Sequence, residues 1–414
     1  MEQPTRTKLE LILGIDTSCD DTSVAVSYKT KVLSNIISSQ IEMHRQWGGI
    51  VPGLAKREHE ARIDRVVEEA LKQAIINLNR YQPELKTSLR AISLKTESWA
   101  EQALGSMDAF AVTYGPGLSI ALEVGIKKAK ELAIKYKKPL IGVNHMEGHL
   151  LSSLAQPIKG ENKIGDNKQK FPALAVLLSG GHTELVEVKN IGEYKIIGQT
   201  LDDAIGEAFD KAARILGLGY PGGKIISELS KSGSAGVYPL PIPMARSDDL
   251  DVSYSGLKTA LLYKVRDLKG EKRKQDKKPK QSWKPDREHI KQSYPDKILT
   301  KRQIYDLSAA FEDAAIQTIL NKIKKAIQEN RYYSILLGGG VINNANLRKQ
   351  IRKLARSYDK SLQVLFPYSN KLFQDNAAMI SVAAYLSSLK NNRNVYRTKD
   401  KIEMLDRVPN LRLS

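Results

Sequence analysis

The chain has 414 residues, 41% of them hydrophobic, a composition ordinary for a globular protein and a length too great for one small core, so two domains are expected. Lysine and arginine total 65 against 46 acids, a formal charge of +19 that suits a nucleic-acid partner ahead of a lysine-rich surface that only keeps the protein dispersed. The lone Cys19 excludes an intrachain disulfide, no apolar run is long enough for a membrane span, and the first ten residues resemble neither a secretory nor a transit signal, so a cytoplasmic protein with no membrane partner is expected.

Residues 9–16 and 22–28 read as strands, separated by Thr17, Ser18, Cys19, Asp20 and Asp21, a turn too rich in hydroxyls and carboxylates for a plain hairpin tip. Residues 31–38 read as a third strand. Ile63, Val66, Val67, Ala70, Leu71, Ala74, Ile75 and Leu78 recur at helical spacing, which predicts an amphipathic helix over 58–78. A strand at 109–114, a Gly-Pro-Gly turn and a helix over 120–136 follow. Residues 140–143 form a short strand, and Asn144 is a good N-cap for a helix that opens with His145 and carries His149 on the same face. Such a pair suits two capping or solvated side chains, or two-thirds of a metal site whose third ligand comes from elsewhere.

Residues 158–170 are polar and read as a linker between an N-terminal lobe, 1–157, and a C-terminal lobe, 171–374. The second lobe opens as the first does: a strand at 172–178, the polar turn Ser179-Gly180-Gly181-His182-Thr183, and a strand at 184–188. A later strand (333–337), the turn Gly338-Gly339-Gly340 and a helix (345–357) echo the earlier strand, glycine turn and helix, so the pattern predicts a duplicated core with a cleft between the copies. Asp203, Glu207 and Asp210 are expected on one helix, with Glu207 and Lys211 as an i,i+4 pair. Residues 267–301 hold twelve lysines and arginines, among them Lys269, Lys272, Arg273, Lys274, Lys277, Lys278, Lys280 and Lys284 around Trp283, and suit a solvated loop or one that tracks an RNA backbone. Helices are expected over 307–330 and 376–389, and residues 375–414 are expected to return to the N-terminal lobe.

Several motif matches fail. Residues 217–225 resemble a Walker A loop, but the glycine spacing is wrong and Ile225 stands where a Mg²⁺-binding hydroxyl is required. Ile120 occupies the third glycine position of a dinucleotide fingerprint, and Ser255 with Lys258 lacks the companion motifs of a penicillin-type serine site. HMEGH is not a zincin motif, because Glu147 is expected to face away from a metal held by both histidines. What survives is three glycine turns at strand ends, SGGHT, YPGGK and LGGGV, whose backbone amides suit a phosphate and point to a nucleotide in the cleft.

The segments IDTSCDDT, WGGIVPGLAKREH, GPGLSIALEVG, NHMEGHLL, LLSGGHTEL, DDAIGEAFDKAARILGLGYPGG, YSGLKTALLYKVRDL, LGGGV and QDNAAMIS occur in the order seen in the TsaD-type tRNA threonylcarbamoyladenosine transferases. The chain resembles a bacterial member of that family from Leu11 to about Leu386. The resemblance implies an α/β, two-lobed actin/Hsp70/sugar-kinase superfold with duplicated RNase H-like cores. It implies transfer of threonylcarbamoyl from threonylcarbamoyl-AMP to the exocyclic amine of adenosine 37 in tRNAs reading ANN codons. It further implies one divalent metal, Fe²⁺ favoured and Zn²⁺ possible, on His145, His149 and Asp375. Leu177, Leu178, Ser179, Gly180, Gly181, Asp210, Gly223 and Asn344 match adenylate-binding positions, and Asp20 and Asp21 match acids implicated in catalysis. A paralogous TsaB-type subunit and a TsaE-type ATPase are the implied protein partners. This sequence departs from the family at Asp16, where many members have Glu, at Ile342, where a small residue is usual, and at Phe373-Gln374 ahead of Asp375. A metallopeptidase, an ATPase or sugar kinase of the same superfold, and a non-catalytic tRNA-binding subunit are the rival readings.

Overall fold

The computed structural model describes residues 9–413 except 46, 48, 83, 86, 161–170, 271–298 and 391–393. In the first half β1 (Leu11–Asp16), β2 (Asp21–Tyr28) and β3 (Lys31–Ser39) form an antiparallel meander. The helices α1 (Ile41–Arg45), α2 (Pro52–Tyr81) and α3 (Trp99–Gly105) lead to β4 (Ala109–Gly115), which pairs parallel to β1. After α4 (Ser119–Lys135), β5 (Leu140–Asn144) pairs parallel to β4 and runs directly into α5 (His145–Leu151).

The second half repeats this order. β6 (Ala173–Leu178), β7 (Thr183–Asn190) and β8 (Glu193–Gln199) form an antiparallel meander. The helices α6 (Ile205–Ile215), α7 (Gly222–Ser230), α8 (Ser255–Lys269) and α9 (Lys301–Glu329) precede β9 (Ser334–Gly338), and α10 (Ala345–Tyr358) precedes β10 (Gln363–Leu365). β9 pairs parallel to β6 and β10 parallel to β9, so the spatial order β10-β9-β6-β7-β8 copies β5-β4-β1-β2-β3. This is the duplicated RNase H-like core of the actin/Hsp70/sugar-kinase superfold. The chain then forms α11 (Ala377–Lys390), β11 (Val395–Tyr396), which extends the first sheet beyond β5, and α12 (Lys399–Met404).

Both faces of the central strands are buried, which is why they read as continuous apolar runs. In β1, Leu11, Leu13 and Ile15 join the core beneath α2 and α4, whereas Ile12 faces a middle layer. In β6, Leu174, Val176 and Leu178 face α6 through α9, and Ala173, Ala175 and Leu177 face the same middle layer. That layer is built from α5 and α11, whose Met146, Leu150, Met379, Ile380 and Ala383 are buried between residues of the two sheets. At Gly148 a Cβ would lie 2.9 Å from Ile380 and 3.1 Å from Met379, so the bare glycine lets α5 sit close against α11.

Some expectations are corrected. The predicted helix at 58–78 begins at Pro52, whose fixed φ suits the first turn. Asp203 lies outside α6, since Ala204 is extended and the Asp203 carboxylate is taken by Lys211 (2.5 Å) and Lys258. Of the predicted basic loop 267–301, residues 267–269 close α8 and Lys301 opens α9, while its middle and ten residues of the predicted linker, 161–170, fall outside the described residues. β8, β10, β11 and the short helices α1, α3 and α12 were not anticipated.

Candidate functional site

Local sequence builds the centre of the site. The Asn144 Oδ1 accepts the Met146 N–H at 2.8 Å and caps α5, so the helix starts at the end of β5 with His145 in its first turn. Across the middle layer Asn376 caps α11 by accepting the Met379 N–H at 3.1 Å, which fixes Asp375 one residue before it. The three side chains meet: His149 Nε2 lies 3.0 Å and His145 Nε2 3.4 Å from the same Asp375 Oδ1. The imidazoles stand edge to face at 87° with ring centres 4.6 Å apart. On its far side His145 Nδ1 lies 3.1 Å from Ser18 Oγ and 3.7 Å from Asp16 Oδ2, an arrangement that directs Nε2 into the cluster.

A divalent metal fits this donor set. One ligand atom from each residue lies within 4.8 Å of the others, two neutral-capable nitrogens and one carboxylate oxygen aimed at a common point. Burial alone would raise the Asp375 pKa, yet the His145 charge and hydrogen bonds from both histidines hold it well below the carboxylate range. Burial works the other way on His145, where Asp375 and Asp16 prevail and raise the imidazole.

The TSCDD turn faces the cluster. Burial and then the Asp375 charge push Asp20 upward, and burial lifts Asp21 to about 7, with one of its carboxylate oxygens sealed from solvent and unpartnered. Two residues that pattern alone did not single out belong here. His182 is lowered to about 4 by burial and by the neighbouring His145 and His149, so it stays neutral beside them. The Tyr220 phenol, raised by burial, Asp210 and Asp20, stands in the field of both acids. Membership of SGGHT and YPGG was the available signal for each.

The glycine turns lie against the same helix. A Cβ on Gly338 would strike the His149 carbonyl, and one on Gly339, at φ 93°, would strike the Leu178 carbonyl, so the LGGGV turn stacks on α5 and on the end of β6. Gly180 and Gly181 have open space where a side chain would be, leaving their backbone approachable. Leu177 and Leu178 are fully buried, main chain included, so the expectation that they meet the adenylate is not matched by any accessible atom there. Asp210 Oδ1 accepts the Gly222 N–H at 2.7 Å at the start of α7, which places it beside Gly223. Asn344 caps α10 through the Leu347 N–H (3.0 Å) and donates to the buried Glu312 (2.6 Å). Glu147 faces away from the cluster, as spacing predicted, and accepts from Tyr194 (2.8 Å) and Ser387 (2.9 Å).

Comparison with known proteins is consistent with this geometry. The family model described as TsaD, tRNA N6-adenosine threonylcarbamoyltransferase, matches residues 31–82 and 95–382. A tRNA N6-adenosine threonylcarbamoyltransferase of Thermosipho africanus is 39% identical over 375 residues, covering 91% of this chain and 93% of that protein. One of Thermodesulfovibrio yellowstonii is 40% identical over 380 residues, covering 92% and 95%. Among solved structures, full-length HypF in its phosphate- and nucleotide-bound form superposes with a TM-score of 0.51 at 13% identity, over 93% of this chain and 47% of that one, a likeness of fold alone.

Proposed function

We propose, from the premise that this chain belongs to the TsaD family of tRNA N6-adenosine threonylcarbamoyltransferases, that it moves a threonylcarbamoyl group from threonylcarbamoyl-AMP to adenosine 37 of tRNAs reading ANN codons. The chain is a transferase of tRNA modification. The observation that carries the finer reading is the convergence of His145, His149 and Asp375 on one point beside the glycine turns.

In this reading the adenosine N6 attacks the carbamoyl carbonyl carbon, the bond from that carbon to the phosphate oxygen breaks, and AMP leaves with the electron pair. Asp20, whose carboxyl burial raises above its ordinary value, takes the amine proton and passes it to solvent. Amides of Gly180 and Gly181 meet the phosphate, and Asp210, Gly223 and Asn344 line the adenylate. A divalent cation on His145, His149 and Asp375 would supply Lewis-acid polarisation of the carbamoyl carbonyl; two imidazoles with one carboxylate suit Fe²⁺ and Zn²⁺ alike, and the family resemblance favours Fe²⁺. An unpaired anticodon-loop base enters such a cleft without melting a duplex. A TsaB-type subunit and a TsaE-type ATPase complete the proposed assembly. A peptidase reading would need a base at the metal, and Glu147 is committed elsewhere by its two hydroxyl donors.

The test is mass spectrometry of nucleosides from unmodified tRNA incubated with the protein, threonylcarbamoyl-AMP and the two partner types. Threonylcarbamoyladenosine is expected with the natural chain and lost in His149→Ala. Undiminished product from Asp20→Asn would remove Asp20 from the mechanism, and no product from any mixture would overturn the reading.

A further inference from the structure

Helix α10 carries a row of cations whose arrangement costs the helix stability. Its buried face is Leu347, Ile351 and Ala355, and the rest of its length holds Arg348, Lys349, Arg352, Lys353 and Arg356 with no acid among them. Arg348 and Arg352, Lys349 and Lys353, and Arg352 and Arg356 are like charges at i,i+4, a spacing that destabilises a helix. Other helices use the same spacing for opposite charges, as in Arg62 with Glu58, Lys211 with Glu207 and Lys325 with Glu329. Among the described residues no acid forms an ion pair with any of the five α10 cations, and Lys349, Lys353 and Arg356 are exposed. A cation at the last turn favours the helix dipole, but that accounts for Arg356 and not for Arg348 or Lys349 in the first half.

The row starts at the proposed active site. α10 is capped by Asn344, one short turn after Gly338, the glycine that stacks on His149. Arg348 donates to the Ile342 carbonyl at 2.6 Å and lies 5.1 Å from the ring centre of Phe373, two residues before Asp375, so it is spent on the fold. The other four share an open face of α10 with Asn346 and Gln350. The Arg352 guanidinium sits over Phe366, 4.3 Å from the ring centre, which braces it against the fold. Successive turns of the row rise by about 5 Å, close to the step between phosphates of one nucleic-acid strand.

We propose that Lys349, Arg352, Lys353 and Arg356 bind the phosphate backbone of the tRNA next to the nucleotide being modified, so that α10 guides the strand to the cleft. The proposal rests on the tRNA-modifying reading above and names the surface that holds the RNA. RNA is favoured over a protein because this face carries four cations and two amides with no acid and no large apolar side chain, the make-up of a phosphate-binding surface.

The experiment compares the full chain with a variant carrying Lys349→Gln, Arg352→Gln, Lys353→Gln and Arg356→Gln, changes that keep helix propensity. An unmodified tRNA transcript is titrated across a potassium chloride series. Loss of four phosphate contacts should lower the slope of log affinity against log salt by about 3, at roughly 0.7 to 0.9 per contact. A control variant with Lys72, Lys95, Lys127 and Lys137 changed to Gln should keep the natural slope. In the transfer reaction the α10 variant should raise the KM for tRNA at least tenfold while kcat at saturating tRNA holds within twofold. An unchanged slope and KM in a variant with the natural melting temperature overturns the proposal, as does an equal loss in the control. Retained tRNA affinity with lost binding of a protein subunit also overturns it, in favour of a protein interface. Failure of the natural chain to make the modified nucleoside would instead count against the functional reading, and the binding slopes would still decide the role of α10.

Discussion

Replacing Ser18 or Asp16 should weaken metal binding at His145 without touching a ligand. Ser18 Oγ, 3.1 Å from His145 Nδ1, is within hydrogen-bonding range, and Asp16 Oδ2 at 3.7 Å is beyond it, so the two act differently. With Nε2 turned to the cluster, Nδ1–H donates to the Ser18 hydroxyl, and the buried Asp16 charge makes the ring a stronger donor. Ser18→Ala removes an orienting hydrogen bond that is worth about 1 kcal/mol, and a loss near fivefold in affinity is expected. Asp16→Asn keeps the shape and removes the charge. Groups behind a ligand histidine typically contribute 10 to 100-fold, so the loss should approach about 100-fold, or roughly 2.7 kcal/mol. Because both act on one nitrogen, the double variant should lose less than the sum. Competition of Zn²⁺ against a chromogenic chelator gives the dissociation constants, with melting temperature as the check on folding. Affinities within twofold of the natural chain in both single variants would refute the assignment of Nε2 as the donor of His145.

Other outcomes follow from the same structure. Asp21 is held near 7 by burial against an ordinary 3.8, so the folded chain binds its proton more tightly than the unfolded one. Stability is therefore fully present below pH 4 and lost as pH rises toward 7. In metal-free protein Asp21→Asn should gain on the natural chain across that window, by an upper limit on the order of 4 kcal/mol, and parallel urea midpoints at every pH would contradict it. Gly338→Ala drives a Cβ into the His149 carbonyl and should cost about 1 to 3 kcal/mol together with metal affinity; equal denaturation midpoints would speak against the stacking of that turn on α5. Deleting residues 405–414 removes the buried Leu405 and Leu413 and the Val408 N–H bond to Tyr114 (2.7 Å), with a loss of roughly 3 to 6 kcal/mol expected from the two leucines in chemical denaturation.

Much of the fold was legible because strands buried on both faces announce themselves as apolar runs, and because the glycine turns mark their ends. Asn144 was readable as a cap and its two histidines as one face, since both depend only on neighbours in the chain. The edge strand β8 was not, because it is mostly exposed or half-buried and lacks a clean apolar alternation. Asp203 was misplaced onto α6 because its partner Lys258 lies 55 residues away. The link from His145 to Ser18 likewise spans 127 residues, and the fields around His182 and Tyr220 arise only when both halves are folded. Family resemblance named Asp375; periodicity could not, because its proximity is a product of how closely α5 and α11 pack.

The order in which the chain is synthesised adds a constraint to the middle layer. α5 emerges from the ribosome long before α11, and until Asp375 and the Arg412 carbonyl that accepts from Asn144 arrive, the two imidazoles have neither their acid nor their last tether. A nascent chain stalled before α11 would expose an apolar trough between its sheets and a histidine pair open to whichever metal is abundant. Completion of the cluster therefore waits until the C-terminal segment has been made and has packed against α5.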